Sequence, residues 1–486
     1  MLPIFFARDW VPGNDTYYHM VMARFPFDLA LADTFPWLQW TLFRDQFVNH
    51  HLGFQFLLFP LVWLSDVATG NLVWGGQAAL LICSGLTAMC FYRLLVLRGV
   101  PHPLLWTFLL GVLPWHFWMR QAYVRAPIVA LPMMLFAIEL MMRRKPLLLG
   151  MWACAFMLAY FGAVLFAMLT GCMLAGWMMT EGLNRRLVRV GAAMVIGLTA
   201  GFALHPSFPE NIEFMRVQLF DSGLSAAVDI GNEWKPPDAW FAAVMWLPLL
   251  VLWLGSIILS LVQGRKIDGT SVGLMLLTAL FLLLTAKMRR FVEYAPVFML
   301  LSAADLFRWS LPSNLWSSRL IRVSLILVIA AAGLSGPLQA RWQTEPAFHA
   351  KHVSEAMTWM QAHTPKNSVV FTDDWDVFPG YFYFNRHNRY VVGLDPMFTA
   401  IPYPEHWRRY KSITRGQAAI EPDDVDHASL ADIGDLFLAD YVMVQQNHRP
   451  LYDQLQLSRE RFQRIYPEHD EGGQPPLAVF KVLGRD

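Results

Sequence analysis

Four short stretches of the sequence carry side chains able to do chemistry. The first is Gly13-Asn14-Asp15-Thr16-Tyr17-Tyr18-His19. Pro12-Gly13 turns the chain and Asp15 opens a helical stretch, where a carboxylate can cap free backbone N–H groups. The same carboxylate can serve as a metal ligand or a general base. The second stretch is Arg44-Asp45-Gln46-Phe47-Val48-Asn49-His50-His51. A neutral imidazole binds metal, and an interfacial histidine also keeps a wet polar tip. Neighbours on a helix point different ways, which disfavours one ion for both. The third lies in a long connection, 206–239, with Asn211, Glu213, Arg216 and Gly231-Asn232-Glu233-Trp234. Loops of this length are often functional, and Glu233 either reaches into a site or stays a solvated carboxylate. The fourth is Lys287-Met288-Arg289-Arg290-Phe291-Val292-Glu293-Tyr294. Guanidinium groups bind phosphate in a bidentate fork, or they snorkel to lipid headgroups.

A long apolar framework must position these stretches. The chain has 486 residues, 56% of them hydrophobic and 14% aromatic, against about 45–50% apolar in a soluble domain. The excess precedes residue 340 and falls in runs near the roughly 17–25 residues that span a bilayer. Such runs cover about 72–97, 104–119, 127–142, 147–161, 163–180, 190–205, 240–262, 272–287, 296–310 and 319–338. The run from Leu147 to Thr180 is too long for one helix and is expected to break near Gly162. The sequence therefore predicts a polytopic α-helical membrane protein with a C-terminal α/β domain. Residues 1–71 form an external loop with interfacial helices, 72–340 the transmembrane domain of about ten helices, and 341–486 a soluble domain.

Lysine and arginine near helix ends stay in the cytoplasm. Arg93 with Arg98, Arg143 to Lys145, Arg185 to Arg189, Arg265 with Lys266, and Arg319 with Arg322 fall on alternate connections. The remaining connections face outward, together with the N-terminal stretch and the C-terminal domain. Two outward connections carry arginines against the rule: Arg120 with Arg125, and Arg289 with Arg290. An anionic ligand is one reason for such exceptions. Residues 51–67 are apolar but short and contain Pro60. Counting them as a span would invert the topology, so they are read as a helix lying at the outer interface.

The C-terminal part alternates helix and strand patterns, with a helix at 351–362, strands at 368–372, 389–394, 440–444 and 477–482, and a helical pattern at 450–464. The net charge of +1 gives no sign of a nucleic-acid partner. Cys83, Cys90, Cys154 and Cys172 all lie in apolar runs and have neither disulfide nor zinc spacing. Residues 1–10 lack the pattern of a signal peptide. Glu139 is placed to pair with Arg143 at i,i+4, and Asp305 with Arg308 at i,i+3. Membrane-buried acids paired in this way disfavour a proton-coupled transporter.

The order of these features resembles the GT-C superfamily of membrane glycosyltransferases, in particular the catalytic subunit of oligosaccharyltransferases. Asp15-Thr16-Tyr17-Tyr18 stands where that family has Asp-x-Tyr in its first external loop. Residues 49–67 look like the interfacial helices that end the loop, and Glu233 falls in a long external loop like the one carrying a catalytic glutamate. Helix 351–362, His363-Thr364-Pro365, a strand and Asp374-Trp375-Asp376-Val377-Phe378 resemble the entry to the periplasmic domain, where Trp-Trp-Asp-Tyr-Gly normally stands. The family has a membrane helix before its first external loop, whereas here Met1–Phe6 precede Ala7. Its second acidic motif would fall at 119–127, which holds Arg120 and Arg125 and no acid.

The resemblance implies transfer of a sugar or glycan from a polyprenyl-phosphate or -diphosphate donor at the extracytoplasmic face of the cytoplasmic membrane. The acceptor is a protein, a glycan or a lipid. Asp15 and Glu233 are then the catalytic candidates. Arg289, Arg290, Arg120, Arg125, Tyr18, Trp375, Asp374 and Asp376 bind substrate. A divalent cation, magnesium or manganese, would be held by Asp15, His50 and Glu233, and a metal-independent route stands beside it. Two other readings remain at this level: a non-enzymatic envelope transporter or scaffold, and a degenerate relative that binds polyprenyl lipid without turnover.

Overall fold

The computed structural model describes residues 9–222, 231–308, 323, 336–346, 350–420, 427–468 and 474–484. The chain forms two compact units, one built from 1–12, 50–209 and 231–345, the other from 13–49, 210–230 and 346–486.

The first unit is helical. Its helices include Leu52–Thr69, Val73–Leu97, Pro103–Leu109, Trp115–Gln121, Pro127–Met142, Pro146–Ala159, Ala163–Glu181, Arg185–Ala203, Ala239–Val262, Gly269–Lys287 and Ala295–Phe307. Proline opens three of them, at Pro103, Pro127 and Pro146, where the missing N–H costs nothing. The Asn184 side chain caps another, accepting from the N–H groups of Arg186 and Leu187. The expected break near Gly162 is present, between Ala159 and Ala163. The expected span 104–119 is corrected: extended backbone at Leu113 and Pro114 divides it into two short helices. The expected span 319–338 lies mostly outside the described residues.

Among the described residues, five helices are long and apolar enough to cross a membrane, and further apolar helices are shorter. This is a multi-pass membrane protein. Glycines let the helices approach closely, as small residues do in lipid. A Cβ on Gly176 would stand 2.3 Å from the Gly273 nitrogen, and one on Gly197 2.1 Å from the Gly150 oxygen.

Ion pairs fix the direction of the helices. Arg93 donates to Glu139 at 3.0 and 2.6 Å, joining the C-terminal ends of Val73–Leu97 and Pro127–Met142, so these two run parallel. Glu139 also pairs with Arg143 at 2.8 Å, as expected. Helix Pro146–Ala159 returns antiparallel, with Trp152 Nε1 on the Met133 carbonyl at 2.9 Å. Helix Leu52–Thr69 starts beside the end of that helix, where a Cβ on Gly53 would meet the Leu158 oxygen at 2.8 Å. It ends at Gly70, just before Val73. Both of its ends therefore lie at the same end of the bundle.

At the opposite end, Arg98 donates to Asp305 at 2.6 Å and to Asp268 at 2.8 Å. Arg308 pairs with the same two carboxylates. The expected Asp305–Arg308 pair is thus half of a four-residue network that gathers basic connections at one end.

The second unit is α/β. Its five-stranded mixed sheet comprises β1 Val369–Thr372, β2 Arg389–Tyr390, β3 Tyr441–Gln445, β4 Phe462–Tyr466 and β5 Leu477–Val482. The order is β2-β1-β3-β5-β4. β1 is parallel to β2 and to β3, while β5 is antiparallel to β3 and to β4. Phe371, Val442, Val444, Ala478 and Phe480 put the sheet into a core with Trp407, Tyr410 and Leu451.

Two expectations are corrected. The strand expected at 389–394 is paired only at Arg389 and Tyr390. Residues 37–40 dock there instead, with the Tyr390 N–H donating to the Trp37 carbonyl at 2.7 Å and the Trp40 N–H to the Val391 carbonyl at 2.9 Å. The helical pattern at 450–464 ends at Leu457, and Phe462–Tyr466 is a strand. Helix Ala350–His363 matches the expected 351–362 closely.

Candidate functional sites

In the helical unit, two of the sequence candidates, Arg120 and Arg125, converge on two carboxylates, Glu233 and Glu293. Arg120 sits in the last turn of Trp115–Gln121 and Arg125 in the turn before Pro127. Arg120 donates through Nη1 to Glu233 at 2.7 Å and through Nε to Glu293 at 2.6 Å. Arg125 donates to Glu293 at 2.7 Å and approaches Glu233 at 3.5 Å. Both guanidiniums also face the Tyr123 ring, at 5.3 and 5.1 Å. The expectation that Arg120 and Arg125 stand ready for an anion is modified, because two carboxylates already share them.

Glu233 lies on a single 3-10 turn, Asn232–Trp234. Burial pushes its carboxyl pKa up, but Arg120, Arg125 and Arg290 outweigh burial and hold it well below the usual carboxylate range. It is therefore an anion at any physiological pH, unsuited to giving a proton. About a third of its side chain, 31%, remains accessible, against 4% for Glu293.

Arg290 differs from its neighbours. Its guanidinium lies over the Trp234 ring, 4.2 Å from the centroid, a cation–π geometry. Among the described residues no carboxylate is within ion-pair distance of it. Arg289 points elsewhere, with Nη2 at 4.0 Å from Asp238 and its backbone N–H on the Lys235 carbonyl at 3.0 Å. Glu293 was not a sequence candidate. Its signal was its place in the Arg289-Arg290-Phe291-Val292-Glu293 run, three residues after the second arginine.

The α/β unit brings together two other motifs. Helix Asn14–Arg24 begins after Gly13, whose φ of 81° suits glycine. Asp15 is the second helical residue and not the cap, which corrects the N-cap reading; its charge still favours a helix start. Asn14 Nδ2 donates to Asp376 Oδ2 at 2.8 Å. The Asp376 N–H in turn donates to Asp374 Oδ1 at 3.1 Å. Tyr17 meets Tyr383 edge-on at 5.2 Å. Tyr18 is buried against Phe35 and Phe382. Burial raises the pKa of its hydroxyl, and the charge of Asp15 adds to the rise. Trp375 packs on the edge of the α/β core.

His50 and His51 precede helix Leu52–Thr69 and are not on it. Their rings lie 4.0 Å apart, and His51 stacks on Tyr160 at 5.7 Å. Among the described residues, no group of three His, Cys, Asp or Glu side chains is arranged to hold a metal ion.

No family model matches the chain, and no curated protein matches it in sequence. Solved structures do match. The archaeal oligosaccharyltransferase AglB from Archaeoglobus fulgidus, in complex with an inhibitory peptide and a dolichol-phosphate, aligns with a TM-score of 0.60 at 13% identity, covering 94% of this chain and 69% of that one. ArnT from Cupriavidus metallidurans, bound to undecaprenyl phosphate, aligns at 0.58 and 11% identity, covering 99% of this chain and 96% of that one. The mycobacterial arabinofuranosyltransferase AftD aligns at 0.55 and 13% identity over 97% of this chain, which spans 40% of AftD. At such identities the likeness is one of fold. The chain has the fold of the GT-C membrane glycosyltransferases.

Proposed function

We propose that the protein is a glycosyltransferase that moves a sugar or glycan from a polyprenyl-phosphate or -diphosphate donor to an acceptor at the extracytoplasmic face of the cytoplasmic membrane. The observation that carries this reading is Arg290. It is a guanidinium held on an indole face, without a carboxylate partner among the described residues, beside two arginines fixed by Glu233 and Glu293. The fold supports it, since two of the structural neighbours were solved with a polyprenyl phosphate bound.

In this reading Arg290 binds the donor phosphate, beside Arg120 and Arg125, whose charges Glu233 and Glu293 balance. The acceptor hydroxyl attacks C1 of the sugar. The new O–C1 bond forms as the C1–O bond to phosphate breaks, and that electron pair leaves on the phosphate oxygen. Preorganised cations that meet this developing charge are worth several kcal/mol, roughly 3–4 for a single donor group. Asp15 takes the acceptor proton. Asp374, Trp375 and Asp376 contact the acceptor, with Asn14 holding Asp376. Glu233 acts by orienting Arg120 and Arg125, because its depressed pKa and three cationic neighbours suit it poorly to general acid work. A bound divalent cation would supply Lewis-acid help to the leaving phosphate, with Asp15 as the candidate ligand. On this reading residues 341–486 lie outside the cytoplasm.

The test is transfer of labelled sugar from a polyprenyl donor in membranes that carry wild-type protein or Asp15→Ala. Donor-dependent labelling of an acceptor fraction, lost in the variant, supports the reading. Equal labelling by a correctly folded variant removes Asp15 from the reaction. No labelling above background with wild type contradicts the function.

A further inference from the structure

We propose that the arginine cluster is matched to a donor carrying one phosphate, not a diphosphate, and that Glu233 sets this limit. The inference rests on the donor reading above and adds the substrate class.

The argument is charge matching in a partly buried place. Arg120, Arg125 and Arg290 contribute three positive charges, and Glu233 and Glu293 two negative ones. Among the described residues of this cluster, one positive charge is left over. Arg289 faces Asp238, so that pair adds nothing net. A sugar joined to a polyprenol through one phosphate is a phosphodiester with a single negative charge. The diphosphate counterpart carries two. Uncompensated charge costs most where water is excluded, so a surplus of one favours the monophosphate.

The two carboxylates are not equivalent. Glu293 is buried and bound by both Arg120 and Arg125. Glu233 sits on a one-turn helix with nearly a third of its side chain open. It also lies next to Trp234, the residue that carries Arg290. Glu233 therefore occupies one anion-binding position of Arg120 and Arg125 and withholds it from a second phosphate. Neutralising it raises the surplus from one to two and frees that position.

The experiment measures binding of a glycosyl undecaprenyl phosphate and a glycosyl undecaprenyl diphosphate, the singly and doubly charged diesters, to the purified full-length protein, with and without magnesium. Wild type is expected to bind the monophosphate at least about tenfold more tightly, a difference of about 1.4 kcal/mol. Glu233→Gln, close in shape, is expected to narrow or reverse that ratio by about tenfold, and Glu233→Asp, which keeps the charge, to leave it near wild type. Inorganic phosphate and pyrophosphate, used as competitors, should follow the same order if headgroup charge decides. Tighter binding of the diphosphate by wild type under either condition overturns the inference, as does an unchanged ratio in Glu233→Gln. Both of those results leave the donor reading standing. Failure of wild type to bind either lipid overturns the donor reading itself, and with it this inference.

Discussion

The Asn14 side-chain amide donates a 2.8 Å hydrogen bond to the Asp376 carboxylate, joining residues 362 positions apart in the chain. It ties the Asn14-Asp15 helix start to the Asp374-Trp375-Asp376 turn within the α/β unit. A neutral donor on a carboxylate is expected to couple by about 1–2 kcal/mol. A double-mutant cycle of Asn14→Ala and Asp376→Ala, read by thermal unfolding, checks this. Additive effects would show that the bond carries no stability.

Asp15 is next to that bond, half-buried in the first turn of its helix. As the base for the acceptor hydroxyl, its loss should slow transfer by about 10²–10⁴-fold. Asp15→Asn keeps the shape, so donor-lipid binding should stay within a few-fold of wild type. A parallel loss of donor binding would point to a role in holding the donor or a metal ion.

Close helix contact through glycine has a direct consequence. Gly176→Ala puts a methyl against the backbone of Gly269 and Gly273, which is expected to cost about 1–3 kcal/mol. Gly85 lies in a helix with nothing within 4 Å of an added Cβ. Gly85→Ala should be neutral or stabilising by up to about 1 kcal/mol. Melting midpoints in detergent separate the two.

Asp373 is fully buried. Its Oδ2 accepts from the Gln445 N–H at 2.6 Å. Burial pushes its pKa up from 3.8 to about 6, outweighing the opposing pull of His448. The folded pKa is above the unfolded one, so the ionised group destabilises the fold. The penalty is absent below about pH 4, grows as pH rises to about 6, and is complete above that, at about 3 kcal/mol. Asp373→Asn retains an oxygen acceptor and should raise the melting midpoint more above that range than below it. A gain that does not change with pH would refute the assignment.

Much of the fold was legible because apolar runs and prolines act locally. The break before Ala163, the Glu139–Arg143 pair and strands β1, β3 and β5 follow from neighbouring residues alone. The misses come from long-range partners. Phe462, Gln463 and Arg464 read as helix until β5 pairs with them, and of the strand read at 389–394 only Arg389 and Tyr390 pair with β1, while residues 37–40 bond Tyr390 and Val391. At the site, the arginines were visible as exceptions to the charge rule. Their division between Glu233 and Glu293 was not, because Glu293 lies 173 positions from Arg120. No local pattern links residues brought together by helix packing.

Arg290 on Trp234 is the centre of the functional account, and titration of undecaprenyl phosphate onto purified protein tests it most directly. Arg290→Gln should weaken binding by at least about tenfold, the cost of about 1.4 kcal/mol for losing a charged phosphate contact. Arg216→Gln, which removes an exposed arginine paired with Glu213, should leave binding unchanged. Equal affinity of wild type and Arg290→Gln, with both proteins folded, would contradict the account.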